Sequence, residues 1–242
     1  SFIKDNFPEA EKLLVIYTPA IPEDHIELVF FRKGGYRIMK RAETLGIISS
    51  RDKTIAVAGT HGKTTISTMI AHLLKVAGMP FNAFLGGISK NYKTNALLSG
   101  EGEWMVLEAD EFDRSFLKLH PHIAIISSCD PDHLDIYGSE TNLKKAFCDF
   151  IAQVKPGGEL VIRGGLELSC PGGSGPRRHT YRLNEGASCY ADELSFPEGR
   201  CRFTAHTPYG IMKNLELGIT GKINIENALA CICLGKMLKI SN

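Results

Sequence analysis

The residues from Gly59 to Thr65, with the sequence Gly-Thr-His-Gly-Lys-Thr-Thr, have the composition of a loop that binds phosphate. Two glycines let the backbone curl so that its N–H groups point inward, and Lys63 adds a full positive charge. The hydroxyl of Thr64 is placed to bind the Mg²⁺ that accompanies a nucleoside triphosphate. The residues expected to bind the nucleotide phosphates are Gly59, Thr60, His61, Gly62, Lys63, Thr64 and Thr65.

The loop is a variant, because Val57 stands where the usual pattern has a glycine. A Gly-Lys-Thr tripeptide also occurs at the start of ordinary helices. In this chain, however, the β-branched run 54–58 predicts a strand before the loop. Apolar residues at positions 66, 69, 70, 73, 74 and 77 predict an amphipathic helix after it. Strand, glycine-bounded loop and helix in this order are the context that a phosphate loop requires.

Two acidic clusters follow predicted strands further along the chain. Strand 103–108 is followed by a cluster of Glu108, Asp110, Glu111 and Asp113, and strand 122–126 by a cluster of Asp130, Asp132, His133 and Asp135. Ligands of open parallel sheets bind beyond the carboxyl ends of the strands. We therefore expect the loop and both clusters to form one site.

A carboxylate and an imidazole beside a phosphate loop are suitable ligands for a divalent metal between the β- and γ-phosphates. Glu108 and His133 are the candidates. The flanking carboxylates would orient the imidazole of His133 and raise its basicity. Two alternatives remain open: Glu108 belongs to a solvated acidic loop, or His133 is a capping or core histidine.

The remaining pattern predicts an α/β fold of the phosphate-loop type, with a mostly parallel sheet and flanking helices. Alternating runs at 180–190, 201–207 and 211–219 predict a small antiparallel addition, and a helix is expected over 224–238. Residues 1–50 contain two strand candidates, too few to bury a core alone, so we expect them to be the tail of another α/β domain. Residues 51–242 would form the central domain.

Composition narrows the functional class. The chain has 242 residues, 43% of them hydrophobic, and a formal net charge of +1. Positive and negative residues are interspersed, so the sequence has no basic cluster of the kind that binds nucleic acid. No apolar run reaches the length of a membrane span. Seven cysteines occur without a C-x-x-C pair, and we interpret them as reduced thiols of a cytoplasmic protein.

The motifs together resemble those of the Mur ligases. The matching segments are Gly59–Thr65, Glu108–Leu117, Asp132–Tyr137 and Asn224–Ala230, while Thr18–Pro22 is similar to the end of the UDP-binding domain of that family. Their order and spacing match along the whole chain.

The resemblance implies an ATP-dependent amide ligase of peptidoglycan precursor synthesis, most similar to the member that joins L-alanine to UDP-N-acetylmuramate through an acyl phosphate. It implies catalytic roles for Lys63, Glu108 and His133. One Mg²⁺ would be held by Thr64 and Glu108, and a second by His133 and Glu108. Adenine would contact Asn227, with Asn224, and His61 would lie near the muramoyl group.

Three positions depart from the pattern of the family, which usually has Asn at Ser128, His at Ile223 and Ser at Phe112. The first is expected to weaken a polar contact and the second to remove a nucleotide contact. Phe112 favours the sister ligase that recycles muramoyl tripeptide, whereas Ser115-Phe116-Leu117 and Tyr137 favour the L-alanine ligase.

The resemblance also predicts that the chain is a fragment, because no Gly-x-Gly-x-x-Gly precedes residue 13 and nothing follows residue 242. We expect it to fold and to bind Mg-ATP weakly, but not to ligate. Two other classes remain open: a sister amide ligase, either the tripeptide-recycling enzyme or one similar to folylpolyglutamate synthase, and a nucleotide-dependent switch without ligase chemistry.

Overall fold

The structure is a computed structural model that describes residues 9–100, 102–132, 134–170 and 175–241. Its described strands form a two-stranded and a ten-stranded sheet. Helices flank the larger sheet, most of whose strands run parallel. The predicted fold class, a mostly parallel α/β sheet with an antiparallel addition, is confirmed.

The smaller sheet pairs β1 (Leu14–Tyr17) with β2 (Arg37–Lys40) in parallel, and α1 (Ile26–Lys33) connects them. Helix α2 (Arg41–Arg51) follows β2 directly and leads into the larger sheet. It packs closely on a 3-10 helix of the larger unit, since a Cβ on Gly46 would lie 2.6 Å from the carbonyl oxygen of Lys118. Helix α2 therefore connects the smaller sheet to the larger unit by packing as well as by sequence.

The larger sheet contains ten strands in the spatial order β12-β11-β10-β9-β8-β7-β3-β6-β4-β5. They are β3 (Lys53–Ala58), β4 (Phe81–Phe84), β5 (Ala96–Leu97), β6 (Trp104–Ala109), β7 (Ile123–Ile126), β8 (Glu159–Arg163), β9 (Arg177–Leu183), β10 (Cys189–Ser195), β11 (Cys201–Thr207) and β12 (Gly210–Leu217).

The expected antiparallel addition is smaller than the sequence suggested. The run at 180–190 falls on β9 and β10, which continue the parallel ladder from β8, and antiparallel pairing on this side begins only between β10 and β11. Alternating burial arises on any strand with one covered face, so it carries no information about strand direction. The expectation of antiparallel pairing is therefore confirmed only at the end of that run, where Tyr190 pairs with His206 of β11, and is wrong for residues 180–183.

Helices cover both faces of the sheet: α3 (Lys63–Val76) and α6 (Lys222–Met237) contribute to one core cluster, and α5 (Glu140–Ala152), after the short α4 (Leu134–Tyr137), to the other. The 3-10 helix Phe112–Lys118 joins the second cluster through Phe116. Ser139 caps α5: its Oγ accepts a hydrogen bond from the N–H of Asn142 at 3.2 Å. Strand β3 is thus buried from both sides.

The position of β3 between β6 and β7 determines where the site forms. Ala58 at the end of β3 is in register with Ala109 of β6 and with Ile126 of β7. Three parallel strands therefore end at the same level. The phosphate loop, Glu108 at the end of β6, and the described acidic residues that follow β6 and β7 therefore lie at one edge of the sheet.

Two of the seven cysteines are bonded to each other, which corrects the expectation of seven reduced thiols. A disulfide joins Cys148 of α5 to Cys170 in the segment after β8, and the other five cysteines are free and buried. The tertiary fold brings the two together across 22 positions of sequence. No such pairing is visible in the spacing. Over the described part of the chain, the helices are too short or too polar to cross a membrane.

Candidate active site

The phosphate loop adopts a backbone that only glycine fits at two positions. Gly59 has φ 136° and Gly62 has φ 85°, both in the region that side chains disfavour. Neighbours leave no space either: a Cβ on Gly59 would lie 2.2 Å from Ser127 Oγ, and one on Gly62 would lie 2.9 Å from Asn227 Oδ1. Because α3 begins at Lys63, the helix N-terminus adds partial positive charge to the loop.

Two serines after β7 fasten the loop. Ser128 Oγ accepts a hydrogen bond from the N–H of His61 at 2.7 Å and lies 2.9 Å from Thr60 Oγ1. Ser127 Oγ donates to the carbonyl oxygens of Ala58, at 3.2 Å, and of His61. Ser128 therefore keeps polar contacts with the loop, where we had expected a weakened one.

Lys63 is the most enclosed charged group of the loop, with 16% of its side chain exposed. Its ammonium donates to the carbonyl oxygen of Gly59 at 2.8 Å and to both carboxylate oxygens of Glu111, at 3.0 and 2.8 Å. Glu111 is fully buried, whereas Asp110, whose Oδ1 lies 4.0 Å from the ammonium, is partly exposed. The ammonium and its carboxylate partner thus form a shielded ion pair.

Glu108 is held by three hydrogen bonds at the end of β6. Its Oε2 accepts from Thr64 Oγ1 at 3.1 Å, and its Oε1 accepts from Ser67 Oγ at 3.0 Å and from the N–H of Gly86 at 2.7 Å. The adjacent hydroxyl and carboxylate oxygens of Thr64 and Glu108 are the hard ligands that Mg²⁺ prefers. The donor set present here fits a magnesium ion.

The second predicted metal ligand, His133, lies outside the described residues. Near it in sequence, Asp130 donates its N–H to Thr60 Oγ1 at 3.1 Å, and Asp130 Oδ2 lies 3.8 Å from His61 Nε2. No cluster of three or more His, Cys, Asp or Glu side chains suited to a metal ion occurs within the described ranges. Among the described residues, Thr64 and Glu108 would therefore need further ligands from a nucleotide or from water to complete the coordination of an ion.

The two asparagines assigned to adenine lie at the start of α6. Asn227 is buried against Gly62, and Asn224 donates from Nδ2 to the carbonyl oxygen of Thr220 at 2.6 Å. Their side chains are 3.5 Å apart, from Asn227 Nδ2 to Asn224 Oδ1. Ile223, where the resemblance predicts histidine, is exposed. The start of α6 thus packs against the phosphate loop.

A cavity of about 200 Å³ opens beside Glu108, between the smaller sheet and the larger one. The segment after β1 and the start of α2 line one wall, and residues that follow β6 line the other. The lining residues are Thr18, Pro19, Ala20, Arg41, Ala42, Leu45, Glu108, Asp110, Phe112, Ser115, Phe116 and Leu119. The site therefore has room for a ligand next to Glu108.

Cys129 lies directly after the two serines but is unsuited to nucleophilic chemistry. Burial raises the pKa of its thiol to about 11, with smaller contributions from neighbouring charges that include Lys144 and Asp130. The reactive form of a cysteine is the thiolate, which is scarce at neutral pH when the pKa is so high. The chemistry of this edge thus depends on charge and hydrogen bonding.

The sequence analysis did not assign Ser67 or Ser127 to the site, and it did not predict the contact of Glu111 with Lys63. Ser67 was detectable, because it lies three residues after Thr64 and so on the same face of the helix. Glu111 was noted in an acidic cluster, but nothing in the cluster distinguishes a buried carboxylate from solvated ones. The contact of Ser127 with the loop depends on the register of β3 and β7.

Comparison with known proteins identifies the family. Residues 57–235 match the model of the Mur ligase middle domain. The UDP-N-acetylmuramate–L-alanine ligase of Porphyromonas gingivalis is 47% identical over 225 residues, which are 93% of this chain and 49% of that protein. The chain thus spans about half the length of the curated relatives that it matches.

Solved structures agree. The UDP-N-acetylmuramate-alanine ligase MurC of Thermotoga maritima superposes with a TM-score of 0.80 at 29% identity, covering 97% of this chain and 53% of that one. A ligase of Neisseria for UDP-N-acetylmuramate and L-alanyl-γ-D-glutamyl-meso-diaminopimelate has a TM-score of 0.76 at 22% identity, covering 92% and 74%, and this likeness concerns the fold alone. Because the family model matches most of the length of this chain, the chain belongs to the Mur ligase family.

Proposed function

We propose that this chain carries the ATP-binding part of a ligase that joins L-alanine to UDP-N-acetylmuramate. The observation that carries the proposal is the convergence of Lys63, Thr64 and Glu108 on one edge of the sheet, beside a cavity. The relatives named UDP-N-acetylmuramate–L-alanine ligase, 39–47% identical to the chain, support the choice of substrates.

ATP would lie with its phosphates in the loop from Gly59 to Thr65 and its adenine near Asn224 and Asn227. Thr64 and Glu108 would hold Mg²⁺, with a second ion shared between Glu108 and His133. Bound there, magnesium neutralises charge on the phosphates. Lys63 would contribute the same kind of stabilisation through its ammonium, in a loop whose glycines and serines are already fixed.

The reaction needs no covalent bond to the protein. A carboxylate oxygen of the muramoyl group attacks the γ-phosphorus of ATP, forming an acyl phosphate and releasing ADP. The amine of L-alanine then attacks the acyl carbon and loses a proton, inorganic phosphate leaves, and an amide remains. Positioning of the reactants supplies much of the rate in such chemistry. Lys63, Glu108 and His133 would therefore act on charge and orientation.

The cavity beside Glu108 is our candidate for the muramoyl end of the nucleotide sugar. It adjoins the magnesium ligands, and Arg41 adds a cationic wall suited to an anionic substrate. His61 would approach the same group, because its imidazole is largely exposed at the front of the loop. We also propose a division at residues 50 and 51, so that 1–50 complete a UDP-binding domain and 51–242 form the ATP-binding domain.

The partners proposed are small molecules, and neither nucleic acid nor a membrane is required. The charge balance of +1 supports this, because nucleic-acid binding surfaces need an excess of positive charge. ATP and nucleotide sugars are cytoplasmic metabolites, so we place the reaction in the cytoplasm.

The test uses the full-length protein that carries this chain, with ATP, Mg²⁺ and UDP-N-acetylmuramate. We expect UDP-N-acetylmuramoyl-L-alanine, detected by mass, when L-alanine is supplied, and loss of product in Lys63→Ala by several orders of magnitude. Use of the tripeptide L-alanyl-γ-D-glutamyl-meso-diaminopimelate in preference to L-alanine would instead assign the sister ligase. Release of ADP and phosphate without ligation, whichever acceptor is present, would indicate a nucleotide switch.

A further inference from the structure

The Lys63 ammonium is hydrogen-bonded to two groups of the protein, a backbone carbonyl and a carboxylate. A lysine ammonium has three N–H groups, and three oxygens surround this one: the carbonyl oxygen of Gly59 and the two carboxylate oxygens of Glu111, all within 3.0 Å. The two carboxylate oxygens belong to one group and lie too close together to occupy two separate N–H groups, so a phosphate that approaches the ammonium shares its charge with Glu111.

Glu111 is fixed in place and shielded from water. Its side chain has no exposed surface. Its backbone carbonyl accepts a hydrogen bond from the hydroxyl of Tyr137 at 2.6 Å, and the guanidinium of Arg114 lies over the Tyr137 ring at 5.3 Å. This contact anchors the backbone of Glu111 beside the loop, and the carboxylate it carries is buried there.

The other two acidic residues nearby do not share this position. Asp110 Oδ1 lies 4.0 Å from the ammonium and its side chain is 43% exposed, so water screens its charge. Glu108 is engaged by Thr64, Ser67 and the N–H of Gly86. Glu111 differs from both residues. It contacts Lys63, and its negative charge is balanced neither by surrounding water nor by a proposed metal ion.

We propose that Glu111 is a positioning residue that holds Lys63 within the phosphate loop and competes with the nucleotide for its ammonium. The competition follows from burial: an ionised carboxylate that loses its partner in a low-dielectric site is costly, and it also repels an incoming phosphate. Glu111 therefore keeps the lysine extended toward the loop before ATP arrives, and it lowers the affinity for the phosphates. The inference rests on the proposed nucleotide site.

The sign of this effect separates it from a structural role. Replacement by glutamine keeps the volume and removes the charge, so Glu111→Gln should bind ADP and ATP more tightly, by about tenfold, a factor within the range of one charge-assisted hydrogen bond. AMP, which lacks the β- and γ-phosphates, should bind with unchanged affinity. A variant with a merely damaged loop would bind all three nucleotides more weakly.

Isothermal titration calorimetry of this chain with AMP, ADP and ATP provides the measurement, and circular dichroism checks the fold. Glu103→Gln is the matched control. Glu103 lies just before the start of β6, whereas Glu111 follows the end of that strand, and Glu103 forms a half-exposed ion pair with Lys53. Glu111→Asp serves if the glutamine variant does not fold. Its shorter side chain loosens the ion pair, and we expect about threefold tighter binding of ADP and ATP.

The outcomes distinguish this inference from the proposed function. A wild-type chain that binds neither ADP nor ATP would remove the nucleotide site itself. Binding by the wild type, with equal or weaker affinity in a folded Glu111→Gln variant, would overturn only the role of Glu111. If that variant does not fold, an unchanged or weaker affinity in Glu111→Asp would overturn it as well.

Discussion

At the scale of single residues, the contact between Gly86 and Glu108 shows how closely the proposed magnesium site is built. The N–H of Gly86 donates to Glu108 Oε1 at 2.7 Å, and a Cβ on Gly86 would lie 2.2 Å from Oε2. The backbone of Gly86 has no positive φ. Glycine is required here because the carboxylate occupies the space of a side chain.

We predict that Gly86→Ala displaces the carboxylate of Glu108 and raises the Mg²⁺ concentration needed for half-maximal ATP binding by about tenfold, as for other changes to groups that orient a metal ligand. Calorimetric titration of ATP at a series of Mg²⁺ concentrations measures the shift. Gly87→Ala is the control, because its Cβ would meet only Thr64 Cγ2 at an ordinary 3.6 Å. Identical magnesium curves for the two variants would contradict the steric argument.

Sequence alone could select candidates that belong to a short motif or stand at the end of a predicted strand. Lys63 and Thr64 follow from one short motif, and Glu108 follows from its place at the end of a strand. Glu111 and Ser127 could not be assigned, because their contacts join segments 48 and 66 positions apart. Such contacts depend on which strands become neighbours, and side-chain type does not determine that.

At the scale of elements, the junction of β3 and β7 contains a histidine with a perturbed titration. His122, just before β7, accepts a hydrogen bond at Nδ1 from the N–H of Thr54 at 3.3 Å. Burial, followed by the positive charges of Lys155 and Lys53, lowers the pKa of His122 below its ordinary value of 6.5. The neutral ring is the form that can accept this bond.

This junction predicts a pH dependence of stability. Because the pKa of His122 is lower in the folded state, the unfolded chain binds the proton more strongly. The free energy of unfolding should be unaffected above pH 6.5 and should fall as the pH drops through that value toward the lower folded pKa. Urea unfolding of the wild type and of His122→Asn, whose amide can accept the same bond, measures the difference. A decline of equal size in both would assign it to other groups.

The types of secondary-structure element could be predicted from the sequence, but the pairing of the strands could be predicted only in part. Apolar residues indicated the strands β3, β6 and β7 and the helix α3. The parallel pairing of β9 and β10 was missed because the five residues between them give no sign of a crossover. The 3-10 helix Phe112–Lys118 was also missed, since its residues match a functional motif more clearly than a periodic one.

At the scale of the whole molecule, the disulfide lies away from the edge of the sheet that carries the phosphate loop and Glu108. It ties α5 to the segment after β8, whereas the loop follows β3 and Glu108 lies at the end of β6. A covalent link stabilises a fold mainly by restricting the unfolded chain. We therefore expect it to affect global stability and not nucleotide binding.

Reduction of the Cys148–Cys170 bond should lower the free energy of unfolding by about 3 kcal/mol, as expected for a closed loop of this length. Denaturant titrations with and without dithiothreitol measure the loss. The variant Cys148→Ser should show the lower stability under both conditions, while the affinity for ATP stays unchanged. Equal stability of the oxidised and reduced wild type would show that the bond does not contribute.

The edge of the larger sheet formed by β12 offers a place for a fluorescent label with which nucleotide binding can be followed. Tyr209, in the turn between β11 and β12, is exposed, and β12 is six strand positions from β3, about 29 Å at the usual spacing. All five free thiols are buried, and the pKa of Cys129 is about 11. A single cysteine introduced as Tyr209→Cys would thus accept a maleimide dye selectively, at a distance suited to energy transfer from a fluorescent nucleotide in the phosphate loop.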